Sequence, residues 1–111
     1  MAQREHPIST SATAALQILG SQIAAGRRNR RWTARELAGR AAISPRTLRN
    51  VEQGIPSASI GIVFELAVLV GVPLYGATEA QLRDVRIRAT DRLALLPERV
   101  REPAIVIDGD F

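Results

Sequence analysis

Thr33-Ala-Arg-Glu-Leu-Ala-Gly-Arg-Ala-Ala-Ile-Ser-Pro-Arg-Thr-Leu-Arg-Asn-Val-Glu-Gln-Gly54 decides the fold of this chain. It reads as two short helices joined by a tight turn. Thr33 can cap the first helix, and Glu36, three residues on, can reach back to the Thr33 amide to close a capping box. Leu37, Ala38 and Ala41 recur at three- and four-residue spacing, which gives one apolar face. Ser44 repeats the capping chemistry, and Pro45 follows at the first helical position, where its missing N–H costs nothing. Leu48 and Val51 form the buried stripe of the second helix, and Gly54 supplies a left-handed stop. Ala41-Ala42-Ile43 is a short, small turn, with Ile43 as the plug between the helices. A plain helical hairpin with ordinary caps is the alternative.

This arrangement is the helix-turn-helix, whose second helix is carried into the DNA major groove. Outside it, Leu19-Gly20, Ile23, Ser59-Ile60, Leu66-Ala67 and Val70-Gly71-Val72 join Glu36-Leu37-Ala38, Ile43-Ser44, Thr47-Leu48 and Val51-Glu52-x-Gly54 in register. On these residues Leu19 through Leu74 resembles the Xre/Cro-type, lambda-repressor-like helix-turn-helix family. The resemblance implies an all-α fold with a five-helix DNA-binding domain. That family usually has glutamine at the start of the first motif helix, where this chain has Ala34. It usually has a large apolar residue near the end of the opening helix, where this chain has Gly26, so Trp32 is expected to fill that volume.

The 111 residues suit one small domain with tails, and 46% hydrophobic content is that of a globular protein. Cysteine is absent, which removes disulfides and thiolate metal sites. His6 stands alone in the N-terminal arm, so no metal and no cofactor is expected. Enzyme activity is not expected either, for there is no glycine-rich phosphate loop and no evident acid–base pair. Met1 to Ser11 has no apolar core and reads as no signal peptide. Ile60 to Pro73 is too short to span a bilayer and carries Glu65. Cytoplasmic residence without membrane contact is the expectation.

Charge is unevenly placed. From Arg27 to Arg49, eight arginines face Glu36 alone, a net of +7. From Thr78 onward, six arginines face seven acidic residues, a net of −1. A basic half carrying the motif beside a near-neutral half is the footprint of a DNA binder with a separate partner surface. A merely solvated arginine face is the alternative.

Residues 1–12 read as a mobile arm, 13–75 as the DNA-binding domain, 76–96 as a C-terminal helix and 97–111 as a tail. The first helix is expected from about Thr13 to Asn29, with Leu16, Leu19 and Ile23 inward. Ser59 caps a fourth helix to Val70 that is apolar nearly all round and needs further cover. Thr78-x-x-Gln81 opens the fifth. After Leu95-Leu96-Pro97, the β-branched run Ile105-Val106-Ile107 has the composition of a short strand. Such a strand pairs with the same segment of a second subunit, docks elsewhere, or frays. Followed by Asp108-Gly109-Asp110-Phe111, it resembles the tails of HipB-like antitoxins, which are encoded with HipA-type kinase toxins. That resemblance implies a dimerising strand and a kinase-type toxin as partner.

On the second motif helix the outward positions are Pro45, Arg46, Arg49 and Asn50, the expected base contacts. Arg46 can pair bidentately with guanine and Asn50 with adenine, each such pair contributing about 1–3 kcal/mol of discrimination. Arg27, Arg28, Arg30, Arg31, Thr33, Ser44 and Thr47 are the expected phosphate contacts. Glu52 is expected to be structural, paired with an arginine such as Arg35 or Arg40. One motif reads few base pairs, so a homodimer on an inverted repeat of double-stranded DNA is expected. Leu82, Val85, Leu93, Ile105, Val106 and Ile107 are its candidate contacts, or those of a partner. An antitoxin, a stand-alone repressor and an interaction module that keeps only the fold are the three readings.

Overall fold

The computed structural model describes residues 8–103, so the run Ile105-Val106-Ile107 lies outside the described residues. Five helices follow one another: α1 (Thr10–Asn29), α2 (Ala34–Arg40), α3 (Pro45–Glu52), α4 (Ile60–Leu69) and α5 (Glu79–Ala94). No strand occurs among the described residues. Each helix starts the same way. Ser9, Thr33, Ser44, Ser59 and Thr78 are extended, and each side-chain oxygen accepts the amide three residues ahead. Thr33–Glu36 and Thr78–Gln81 close full capping boxes. Helix α1 begins three residues before the expected Thr13, because Ser9 holds the Ala12 amide at 3.0 Å. Residues 10–12, expected in the N-terminal arm, are therefore helical.

The first four helices also stop the same way. The residue after each C-cap is left-handed: Arg31, Ala42, Gly54 and Gly71, with φ of 59°, 56°, 76° and 77°. The next residue then donates its amide back across the last turn: Trp32 to Arg27, Ile43 to Ala38, Ile55 to Asn50, Val72 to Ala67. This satisfies carbonyls that a helix end would leave unpaired, and it turns an apolar side chain inward. Trp32, Ile43 and Val72 do pack on the core. Only two of the four stops are glycines, so Arg31 and Ala42 hold a conformation that disfavours a Cβ by about 1 kcal/mol or more.

Ile23 of α1, Leu37 of α2, Leu48 of α3 and Leu66 of α4 are fully buried and meet at one centre. Each contributes about 1.5–3 kcal/mol by leaving water. Ala38, Val51, Ala67 and Val70 fill the spaces between them. Helix α4 buries Leu66 and Ala67 completely and packs Ile62, Val63 and Leu69 partly on the core, while Ile60 remains 70% exposed. Helix α5 buries no residue completely. Leu82, near its start and half-buried, faces Val68, Val72 and Pro73 across a space of about 250 Å³.

Candidate nucleic-acid interface

Helix α3 is held from behind by α1, at three places. A Cβ on Gly20 would stand 2.8 Å from the Glu52 carbonyl oxygen and closer still to that of Val51, so only glycine lets α1 lie on the end of α3. The α3 stop, Gly54, in turn rests on α1, where a Cβ would meet Gln17 Cα at 2.8 Å. Between these contacts and the start of α2, Arg27 grips Glu52. Its Nε donates to Oε2 at 2.7 Å and its Nη2 to Oε1 at 3.1 Å, while Nη1 donates to the Trp32 carbonyl at 3.0 Å. Both side chains are nearly buried, at 12% and 13% exposure. The hydrogen bond to Glu52 raises the Arg27 guanidinium pKa above its already high value, so Arg27 stays charged.

Arg27 is therefore not a free cation for phosphate, and the partner of Glu52 is neither Arg35 nor Arg40. Arg30, also expected at phosphate, donates from Nη1 to the Val70 carbonyl at 2.6 Å and closes the end of α4. The volume opposite Gly26 is taken by Val70, not by Trp32: a Cβ there would stand 2.9 Å from Val70 Cβ. Trp32 packs on the core with the Arg40 guanidinium 4.1 Å above its ring and that of Arg30 at 5.7 Å. Three arginines of the basic stretch are thus turned onto the fold itself.

What remains on the surface is coherent. Leu48 and Val51 point inward and are buried, while Pro45, Arg46 and Arg49 are exposed and Asn50 is half-buried. At 100° per residue, Arg46 and Asn50 lie on the side of α3 opposite Leu48, with Arg49 at its flank. Gln53, seven residues after Arg46 and exposed, extends that face. As the C-cap of α3 it lies beyond the last helical turn, and its spacing from Arg46 is what places it on this side. Arg28, Arg31 and Arg35 are exposed, and among the described residues none of them makes an ion pair.

The expected phosphate-binding hydroxyls are occupied as acceptors. Thr33 Oγ1 takes the Glu36 amide at 3.0 Å, and Ser44 Oγ takes the Thr47 amide at 3.1 Å. Ser44 Oγ and Thr47 Oγ1 also share a hydrogen bond at 2.9 Å. A hydroxyl that accepts from an amide keeps its own proton to donate, so capping leaves Thr33 able to bind phosphate, whereas of Ser44 and Thr47 one hydroxyl spends its proton on the other and one keeps it. The Thr33 amide, by contrast, is given to Glu36 Oε1 at 2.9 Å. That bond, followed by the one with the Thr33 hydroxyl, holds the Glu36 carboxyl below its ordinary pKa.

A short amphipathic helix, seated on glycines and presenting arginine, asparagine and glutamine outward, can insert into a groove wide enough for a helix. The profile of the helix-turn-helix domain family matches residues 18–85, more than half of the chain. The chain belongs to that family. No curated protein and no solved structure matches the chain. This helix-turn-helix protein has, among its described residues, no helix long and apolar enough to cross a membrane. Those residues also contain no cluster of three or more histidine, cysteine or acidic side chains suited to a metal.

Proposed function

We propose that this helix-turn-helix protein is a sequence-specific transcriptional repressor that acts as a homodimer on an inverted-repeat operator in the cytoplasm. The observation that carries the reading is the outward side of α3. Arg46 and Arg49 stand clear of the rest of the fold, next to Asn50, on a helix fixed from behind. Arg46 and Asn50 are assigned to base edges, Arg49 to a base or a phosphate, and Pro45 to an apolar contact such as a thymine methyl. Arg28 and Arg31, with the hydroxyl of Thr33 and the one of the Ser44–Thr47 pair that keeps its proton, take phosphates. Arg27 and Arg30 support this surface from within. One α3 spans too few base pairs for a useful specificity ratio, so two copies read half-sites about 34 Å apart. Residues 76–96 provide the dimer surface through Leu82, Val85 and Leu93, aided by the terminal run Ile105-Val106-Ile107.

The finer reading is an antitoxin of HipB-like type that represses its own operon and binds a kinase-type toxin. The apolar-acidic sequence from Ala104 to Phe111 supports it, and a kinase-like gene beside this one is its first test. Selection of bound DNA from a random pool tests the main reading. An enriched inverted repeat with one-turn spacing is expected, and a pool that yields no common sequence overturns the proposal.

A further inference from the structure

The C-terminal half of α5 carries an open groove of about 410 Å³, lined by Val85, Arg88, Ala89, Arg92, Leu93 and Leu96. The spacing 85, 89, 93, 96 lays four apolar side chains on one helical face. Two arginines edge that face. Of the acidic residues of the helix, Asp84 and Asp91 fall on its opposite side, roughly 140–160° around the axis from Ala89, and Glu79 stands at the far N-terminal end, outside the groove lining. Among the described residues nothing covers the groove: Leu93 is 69% and Leu96 59% exposed, and neither arginine is ion-paired.

Two such helices packed stripe against stripe would bring Arg88 and Arg92 of both copies into one seam, with the carboxylates outside. Like charges facing each other across a desolvated contact oppose it. The complementary surface is an apolar segment that ends in carboxylates. Ile105-Val106-Ile107-Asp108-Gly109-Asp110 has that chemistry.

We propose that the α5 groove receives the Ile105–Asp110 segment of a second copy of this chain, with its β-branched run on the apolar floor and its aspartates against Arg88 and Arg92. The proposal rests on the homodimer reading and gives that dimer its contact. Lengths agree with it. Extended at about 3.3 Å per residue, Ile105 to Asp108 covers about 10 Å. Leu96 to Ala89 spans a similar axial distance at about 1.5 Å per residue. A segment running antiparallel to α5 therefore sets Asp108 level with the two arginines. The route of the chain favours a second copy over its own helix. Leu95 to Pro103 are exposed throughout, Val100 is 97% exposed, and no backbone hydrogen bond ties Pro97–Pro103 back to α5. Those seven residues reach about 23 Å when extended, about the width of two helices.

The test is sedimentation equilibrium on the full chain with paired charge reversals. Arg88→Glu with Arg92→Glu, and Asp108→Arg with Asp110→Arg, are each expected to weaken the dimer at least tenfold. All four together are expected to restore it to within about threefold of the unmodified chain. A dimer indifferent to either reversal pair overturns the docking while leaving the homodimer in place. An unmodified chain that sediments only as a monomer removes the homodimer reading and the docking with it. Because the chain has no cysteine, the route can be read separately. A disulfide formed between a chain carrying Ala89→Cys and a tagged chain carrying Ile107→Cys supports exchange between copies. Closure within a single chain carrying both substitutions overturns it.

Discussion

Glu52→Ala removes the carboxylate that Arg27 holds beneath α3, and its cost follows from the geometry. The pair is made by two charged hydrogen bonds, at 2.7 and 3.1 Å, between side chains only 12% and 13% exposed. Truncating one member of a buried pair typically costs 3–5 kcal/mol, because the remaining charge is left without compensation. Arg27 would keep the Trp32 carbonyl as one acceptor, so the lower end, about 3 kcal/mol, applies. For a domain of this size that lowers Tm on the order of 15 °C. Urea unfolding followed by far-ultraviolet circular dichroism measures it, with the slope m checked for constancy. The companion variant Arg27→Met/Glu52→Met replaces the pair with apolar volume and should recover most of the loss, since such exchanges are often neutral. A Glu52→Ala chain within about 0.5 kcal/mol of the unmodified protein, the scale of an exposed pair, would refute the assignment. So would a double variant less stable than the single one.

Other outcomes follow from single residues. Arg46→Ala should abolish preference for the selected operator while lowering the salt slope of binding by no more than about one unit; filter binding across a salt series reads both. Ala42→Gly should stabilise the fold by about 1 kcal/mol, because φ there is 56°. Chemical denaturation checks this, and a loss of stability would contradict the left-handed stop. Gly20→Ala should destabilise by about 1–3 kcal/mol through overpacking against the Val51 and Glu52 carbonyls. For Glu36 the folded pKa lies below its ordinary 4.5. Its contribution is therefore complete above that pH and is lost as the solution is acidified through the folded value. Thermal melts of Glu36→Gln and the unmodified chain should differ most near neutrality and converge in acid.

The helix starts were legible because each is a local event: one hydroxyl, one amide, three residues apart. Their positions were less so at α1, where Ser9, Thr10, Ser11 and Thr13 all offer a hydroxyl and Ser9 is the one that holds an amide, that of Ala12. Glycine stops at Gly54 and Gly71 were readable for the same local reason. Arg31 and Ala42 were not, since a residue with a Cβ enters the left-handed region only when neighbours compel it. Here the compulsion comes from Trp32 and Ile43, which must turn into the core. The outward side of α3 could be read from periodicity, but the sorting of the arginines could not. Arg27 and Arg28 are adjacent and chemically identical, and what separates them is Glu52, twenty-five positions away. Gly26 misled for a related reason: a small residue in sequence signals missing volume, whereas in space it marks where Val70 comes closest.

Trp32 is the sole tryptophan of the chain, placed immediately before the α2 cap, set on the core and roofed by Arg40. A guanidinium held over an indole shifts its emission, and the shift vanishes when the two separate. The protein thus carries its own optical gauge of how firmly α2 is seated. Operator engagement that tightens or tilts that helix will register as a change in intrinsic fluorescence, in the native chain and without an attached dye.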